Sequence, residues 1–307
     1  MLILTTVFTQ VVVLFILIFL GLFFSKKKIL TENAVKSMTD IVLYLVTPSV
    51  IIKSFLRKFD RSTLKGILLS FLAAFILHLI FILLTTVVFR DKEDSRKRVL
   101  RFAAVFGNCG FMSLPIQQAI LGADGVLYGA AFIAVFNLFS WTYGITEMSG
   151  DRKNISVKKV LINPGVTSLL IGFVIFILSV PVPKVISLPI EYLAALNTPL
   201  PMIIIGYHLS RSDIKKAVTD LKCLLCCACR LVLFPIVALA VVYACGFRGN
   251  LFISSVISAC SPVAAYTTIF AYKYGGDTTL SVNAVSLSTL LSLISMPLII
   301  TLAKIIA

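Results

Sequence analysis

Residues 108–122 read NCGFMSLPIQQAILG, and they lie in a chain in which 59% of the residues are hydrophobic and 13% are charged. Gly110 and Pro115 weaken an α-helix, and an Asn and two Gln add polar side chains. In hydrocarbon, each unsatisfied backbone group costs several kcal/mol, so a broken helix persists only where protein or a polar cavity satisfies it. The stretch therefore predicts a functional break within a membrane-spanning helix.

The composition of the 307 residues excludes a large soluble core, because soluble domains are about 45–50% apolar and about 25% charged. A spanning helix needs about 20 apolar residues, so ten helices would use most of the chain. Residues 2–24 carry no charge and are followed by Lys26, Lys27 and Lys28, whereas a signal peptide would begin with basic residues. We expect residues 2–24 to be the first retained helix.

Apolar runs bounded by charged or turn residues predict ten helical segments, an all-α polytopic membrane protein. Numbered in chain order, segments 1 to 10 are residues 2–24, 34–56, 64–89, 99–121, 126–148, 160–180, 187–209, 221–247, 251–272 and 280–306.

The positive charges predict the orientation in the cell membrane. If the N-terminus is outside, 18 of the 28 Lys and Arg residues fall in inside loops, and 7 fall in outside segments. Basic residues are enriched in cytoplasmic loops, so both termini are expected outside. The run RDKEDSRKR, residues 90–98, is then a cytoplasmic loop that contacts anionic lipid headgroups, and no nucleic-acid partner is expected.

The two halves of the chain repeat with an offset of 151 residues. The matched pairs are Gly21 with Gly172, Asp40 with Glu191, Thr47-Pro48 with Thr198-Pro199, Cys109 with Cys260, and Asn137 with Ser288. Because each copy has an odd number of helices, the second copy must enter the membrane from the opposite side. We expect residues 1–150 and 151–307 to form a 5+5 inverted repeat, an architecture of many secondary transporters.

Segments 4 and 9 carry helix breakers at equivalent positions. Segment 4 has Gly107, Asn108, Gly110, Ser113 and Pro115, and segment 9 has Ser258, Ser261 and Pro262. Ordinary proline kinks are the alternative, but paired breaks in the two halves are the stronger indication of a substrate site. Pro48 and Pro199 are predicted to be further breaks.

The breaks also predict the charge of the substrate. Each leaves the N-terminus of a half-helix in the membrane, with about half a positive charge and free N–H donors. No Asp or Glu lies near either break, although an intramembrane cation site normally needs a carboxylate. We therefore expect an anion.

The stretch GNCGFMSLPIQQAILGADGVLYGAAFIAVFNLFSWTYG, residues 107–144, resembles helices four and five of the auxin efflux carrier family. SPVAAYTTIFAYKYGGDTTLSVNAVSLSTLLSLISMPL, residues 261–298, resembles its last two helices. The family includes bacterial dicarboxylate permeases and plant auxin exporters. The resemblance covers essentially the whole chain.

This resemblance implies a scaffold of segments 1, 2, 6 and 7 and a moving unit in which broken segments 4 and 9 cross, with elevator-like transport. It also implies that Asn108 meets an organic carboxylate and that Asn137 lines the site. The chain departs from the plant carriers at Gly107, where they have proline, and at Val263, where they have a polar residue. These departures favour small organic acids over auxin-like substrates.

The predicted substrate site consists of Asn108, Cys109, Gly110, Asn137, Ser261, Pro262 and Ser288. Two adjacent side chains, Gln117 and Gln118, face different directions, so at most one is expected to line it.

Three ionisable residues are candidates for coupling to H⁺ or Na⁺. Asp40 and Glu191 either couple transport to the ion or are acidic residues at helix N-termini, where the helix dipole favours them. His78 is either a proton relay or a packed histidine. Lys53 and Arg230 are expected near helix ends, with their charges reaching the interface, and a counter-charge to the substrate is the alternative for each.

No metal, cofactor or enzymatic activity is expected. The cysteines of CLLCCAC, residues 223–229, lie in an apolar helix without His or carboxylate neighbours. We therefore interpret them as small buried hydrophobic residues. No catalytic set or phosphate loop is apparent.

Other functions remain open on the sequence. A sodium-coupled symporter of the bile-acid carrier type is one, because hydroxyls and carbonyls at the breaks could bind sodium. A channel or a membrane-embedded sensor is another. Besides the organic anion, membrane lipids are the expected partners, and a homodimer is left open.

Overall fold

The computed structural model describes residues 2–90, 92–151 and 162–307, and this part of the chain is helical without a β-strand. Four basic residues assigned to a cytoplasmic loop, Arg152, Lys153, Lys158 and Lys159, and the start of segment 6 at residue 160 lie outside the described residues. The helices are α1 Leu2–Lys26, α2 Glu32–Ile41, α3 Thr47–Phe55, α4 Arg61–Val88, α5 Asp94–Val105, α6 Leu114–Phe139, α7 Ile145–Ser149, α8 Pro164–Ile177, α9 Lys184–Ala195, α10 Pro199–Ser210, α11 Ile214–Thr219, α12 Leu221–Ala228, α13 Phe234–Ala244, α14 Gly249–Ala259, α15 Tyr266–Tyr274 and α16 Thr278–Ile306.

The helices of the described part have the length and composition of membrane spans. Seven are long and apolar enough to cross a membrane, and α8 and α14 are shorter apolar helices. One of the seven, Cys109–Ser149, combines α6 and α7 with single turns of π-helix, and it reverses direction within α6. The predicted class, an all-helical membrane protein, is confirmed.

The 41-residue helix Cys109–Ser149 is a hairpin. Gly122 has φ +64° and ψ −147°, a conformation that favours glycine, and it reverses the chain. The Cβ that an alanine would add at Gly129 lies 2.8 Å from Leu114 Cδ2, although a straight helix would separate these residues by about 22 Å. The predicted division between segments 4 and 5 therefore lies at this glycine.

Segments 2 and 7 are both distorted before their Thr-Pro pairs. In segment 2, a turn of π-helix, Val42–Val46, precedes Pro48 in the first turn of α3. Segment 7 is not one helix as predicted, since α9 ends at Ala195 and Pro199 starts α10. The proline ring excludes the regular helical hydrogen bond at this point, so the chain restarts there.

Glycines allow the closest helix crossings. A Cβ at Gly21 in α1 would lie 2.8 Å from Ile203 Cα in α10, and one at Gly206 in α10 would lie 2.7 Å from Leu22 N. Gly172 in α8 likewise receives the Phe55 ring of α3, 2.7 Å from its added Cβ. Helices α1, α3, α8 and α10 therefore pack in close pairs.

An ion-pair network joins the starts of three helices. Arg96 in the first turn of α5 contacts Asp220 at 2.5 Å and Asp277 at 3.2 Å. Both aspartates are N-caps, Asp220 of α12 and Asp277 of α16. Partial burial raises the pKa of the Asp220 carboxyl, but the hydrogen bond and charge of Arg96, together with hydrogen bonds from the Cys223 and Lys222 N–H groups, outweigh burial, and the pKa lies below its ordinary value.

Replacing Asp220 by asparagine is expected to lower the melting temperature at pH 7, because asparagine still caps α12 but loses the charge pair with Arg96. A carboxyl with a lowered folded-state pKa stabilises the fold above the unfolded pKa of about 3.9. This contribution is lost as the pH falls through the folded-state value. The difference between D220N and wild type should therefore stay constant from pH 7 to about 5 and shrink as the pH falls further, below about 4.

Thermal unfolding of purified protein over this pH range measures the effect. D213N is the matched control, because Asp213 also caps a helix but pairs with Lys216 of its own turn, 3.3 Å away and largely exposed. Equal melting temperatures for D220N and wild type at pH 7 would refute the stabilising role of the network.

Candidate functional site

The two predicted breaks lie side by side and are joined through their backbones. Gly107 and Val263 form an antiparallel bridge. The Asn108 N–H donates to the Pro262 carbonyl at 2.6 Å, and the Ala264 N–H donates to the Phe106 carbonyl at 2.9 Å. Backbone groups freed by each break are thus satisfied by the other, as hydrocarbon surroundings require. We call these paired segments, residues 106–109 and 260–265, the junction.

The break in segment 4 lies earlier than Pro115. Helix α5 ends at Val105, and Asn108 has φ −76° and ψ 57°, outside the helical region. Its Oδ1 accepts a hydrogen bond from the Phe111 N–H at 3.3 Å, which caps the π-helical turn Cys109–Ser113. Pro115 lies in the first turn of α6, directly after the π-helical turn, and the chain stays helical through it. The prediction of Pro115 as a break is therefore corrected.

In segment 9, helix α14 ends at Ala259 and α15 begins at Tyr266, so Pro262 lies within the break as predicted. Ser288 accepts a hydrogen bond from the Val263 N–H at 3.1 Å, and Ser261 donates to the Ser258 carbonyl at 2.8 Å. Both serine side chains are buried, so their hydroxyls support the backbone of the junction.

A cavity of about 140 Å³ opens against the segment 4 side of the junction. Four predicted site residues line it, Asn108, Cys109, Gly110 and Asn137. Ser261, Pro262 and Ser288 do not line it, and Ala264, Ala265 and Tyr266 take their place. The rest of the wall is mostly apolar and aromatic, and includes Tyr44, Phe136, Trp141 and Asn163.

A second cavity of about 100 Å³ also touches Asn108, Phe111 and Tyr266. It extends to Thr39, His208 and Thr289. Asn108 therefore borders both cavities, although its side chain is only 7% exposed.

Asn137 and Asn163 lie close together in the first cavity, at the N-terminus of α8. An added Cβ on Gly165 would lie 2.9 Å from Asn137 Nδ2 and 3.1 Å from Asn163 Oδ1. Asn163 caps α8 by accepting from the Gly165 N–H at 2.9 Å. The sequence reasoning did not find Asn163, although the Asn-Pro-Gly start of α8 is a helix-start signal.

Arg230 is the main residue that the sequence reasoning misplaced. It lies inside the span Leu221–Ala244, is 2% exposed and donates to four backbone carbonyls of the junction region. Nε bonds to Ser261 O at 2.8 Å, Nη2 to Ala259 O at 2.7 Å, and Nη1 to Val105 O at 3.0 Å and Ala104 O at 3.3 Å. The prediction that Arg230 reaches the interface is wrong. A charge in the middle of an apolar helix was the signal for it.

The coupling candidates do not line either of the two cavities. His78 is 2% exposed, lies with Nδ1 2.7 Å from the Ala74 carbonyl and stacks on Phe139 with ring centroids 5.3 Å apart. Asp40 and Glu191 are exposed and lie beyond the first turns of α2 and α9, so they are not helix N-terminal acids. Their roles in coupling stay predictions.

The two glutamines differ as expected. Gln117 is fully buried and donates to the Ser254 carbonyl at 3.1 Å and to Ser258 Oγ at 2.8 Å, which ties α6 to α14. Gln118 is exposed. Neither lines the cavities at Asn108.

The cysteines of residues 223–229 are buried free thiols. Cys226 Sγ lies 3.7 Å from the Leu100 carbonyl, a contact between α12 and α5. Across the described ranges, no group of three or more His, Cys, Asp and Glu residues is placed to hold a metal ion.

Comparison with known proteins gives the family. The sequence profile described as membrane transport protein matches residues 6–300. The chain belongs to the membrane transport protein family. The predicted resemblance to the auxin efflux carriers, which this family contains, is confirmed.

Two uncharacterized transporters are similar to this chain over nearly their whole length. An uncharacterized transporter of Methanothermobacter thermautotrophicus is 25% identical over 290 residues, which cover 92% of this chain and 94% of the relative. An uncharacterized transporter of Methanocaldococcus jannaschii is 25% identical over 296 residues, with the same coverage. The chain is thus a multi-pass membrane protein of a transporter family.

Proposed function

We propose that this protein is a secondary active transporter that moves a small organic anion across the cell membrane. The substrate would be a mono- or dicarboxylate such as malate or malonate, or an auxin-like acid. The observation that carries the proposal is the junction, where two broken helices meet and Asn108 faces a cavity. A static kink would need no such cavity.

The cavity chemistry supports an organic acid. Asn108 and Asn137 supply carboxamide groups, and the turn that begins at Cys109 presents a helix N-terminus, whose dipole favours an anion. The described residues that line the cavity include no Asp or Glu to repel a carboxylate. Ile133, Phe136 and Trp141 provide apolar surface for the carbon skeleton of the substrate.

The proposed architecture is the ten-helix 5+5 inverted repeat, with residues 1–150 and 151–307 as its halves and segments 4 and 9 crossing at the junction. Segments 1, 2, 6 and 7 would form the scaffold, and the junction helices would move as an elevator. The close packing of α1 with α10 and of α3 with α8 supports this division. Both termini are proposed outside, with H⁺ or Na⁺ as the coupling ion and no other cofactor.

Flux into proteoliposomes tests the proposal. Purified protein is expected to take up labelled acetate, malonate or malate, and unlabelled acid on the opposite side should accelerate exchange. Uptake is compared with and without Na⁺ and pH gradients, which distinguishes sodium symport from proton coupling. Single-channel current without counterflow, or binding without flux, would refute a carrier and indicate a channel or a sensor.

A further inference from the structure

Four helix ends meet at the junction, and their dipoles oppose each other. The turn beginning at Cys109 and helix α15 present N-termini, each with about half a positive charge. Helices α5 and α14 present C-termini, each with about half a negative charge and unsatisfied carbonyls. Two positive and two negative ends nearly cancel. The paired breaks alone therefore do not explain a preference for anions.

Arg230 bonds selectively to the negative ends. Its four acceptors are the carbonyls of Ala104 and Val105 at the end of α5, and of Ala259 and Ser261 at the end of α14 and just beyond it. A guanidinium has five N–H donors in a fixed fork, so one side chain satisfies both C-termini at once. Within the described residues, Arg230 forms no hydrogen bond with the two helix N-termini at the junction.

The charge of Arg230 is not balanced by a side chain in the described part of the chain. No Asp or Glu there lies within ion-pair distance of it, and the Phe81 ring lies 5.8 Å from its Cζ. Arginine keeps its charge in proteins. A full positive charge is therefore fixed beside four carbonyl dipoles within the membrane span.

This charge lies directly behind the wall of the first cavity. Gly107 lines the cavity, and a Cβ added to it would lie 2.6 Å from Arg230 Cζ. Gly107 thus borders both the guanidinium and the space proposed for the substrate. The absence of a side chain at residue 107 makes this approach possible, which explains glycine at this position.

We propose that Arg230 is the positioning residue that makes the junction an anion site, by neutralising both helix C-termini and leaving the N-termini to act on the cavity. The inference rests on the proposed function and identifies what determines its charge selectivity. Arg230 does not touch the substrate.

The test measures preference for charge, because a merely structural defect would weaken all ligands alike. The probes are acetate, malonate and malate with their neutral amides acetamide, malonamide and malamide, which have similar shapes. The affinities of wild type, R230Q and R230K for each probe are measured by thermal shift, and by the inhibition that the probe causes in uptake of labelled acid. In R230Q, the affinity for the acid is expected to fall about 10- to 100-fold, with that for its amide changing less than about threefold.

R230K keeps the positive charge but loses the forked N–H donors of the guanidinium. We expect its affinities for acid and amide both to fall, while the ratio of the two affinities stays within about threefold of wild type. If R230Q does not fold, R230K alone decides, and loss of its acid preference overturns the inference. An acid-to-amide affinity ratio in R230Q equal to that of the wild type also overturns the inference. If the wild type binds none of the three acids, the proposed function fails, whereas acid binding that is indifferent to Arg230 refutes only this inference.

Discussion

Replacing Asn108 by alanine is expected to lower organic-acid flux by at least tenfold. Asn108 borders both cavities, and its side chain is the amide of the junction that we propose to meet the carboxylate. A hydrogen bond to a charged group contributes about 1.5–3 kcal/mol, which is about 10- to 100-fold in affinity. The substitution also removes the Oδ1 cap of the π-helical turn, which weakens the support of its N-terminus.

Initial rates in proteoliposomes over a range of malonate and malate concentrations measure the effect. The matched control is Q118A, an exposed glutamine in the following helix, for which flux equal to wild type is expected. The thermal stability of both variants is measured to exclude misfolding. If folded N108A transports organic acid as fast as wild type, the assignment of the site at the junction is wrong.

Replacing Gly107 by alanine is expected to destabilise the fold and to abolish transport. The added Cβ would overlap the Arg230 Nη2 atom and lie 2.5 Å from Ser261 Oγ. Neither neighbour yields easily, because Arg230 holds four carbonyls and Ser261 is fully buried. Overpacking of this kind costs about 1–3 kcal/mol, and displacing the guanidinium would also leave buried carbonyls without donors.

The control for this substitution is Gly110→Ala, three residues further along the same chain segment. Nothing lies within 4 Å of the Cβ that alanine would add there, so wild-type thermal stability is expected. Because Gly110 lines the cavity, the flux of the G110A variant reports only on how the substrate fits. Thermal unfolding of G107A and G110A in detergent makes the comparison, and equal melting temperatures would show that Gly107 does not accommodate Arg230.

Much of the candidate site could be predicted from local sequence signals. Glycine and proline weaken the interior of a helix, so Gly107 and Pro262 indicated where segments 4 and 9 break, whereas Pro115 lies in a first turn and does not break its helix. The repeat offset indicated that the breaks belong together. Residue type alone did not indicate which residues of the two breaks face the cavity. Ser261, Pro262 and Ser288 were therefore expected in the cavity wall, whereas they lie in or against the junction without lining the cavity.

The sequence by itself determined the class of protein and the two breaks, because hydropathy and helix-breaking residues act over a few neighbouring residues. Only the tertiary structure decided that segment 7 is two helices and that Asn163 joins the cavity wall. It also decided the role of Arg230, whose carbonyl partners in segment 4 are 125 and 126 residues away along the chain. Such contacts depend on how distant helices pack, and packing is a property of the whole fold rather than of any local stretch.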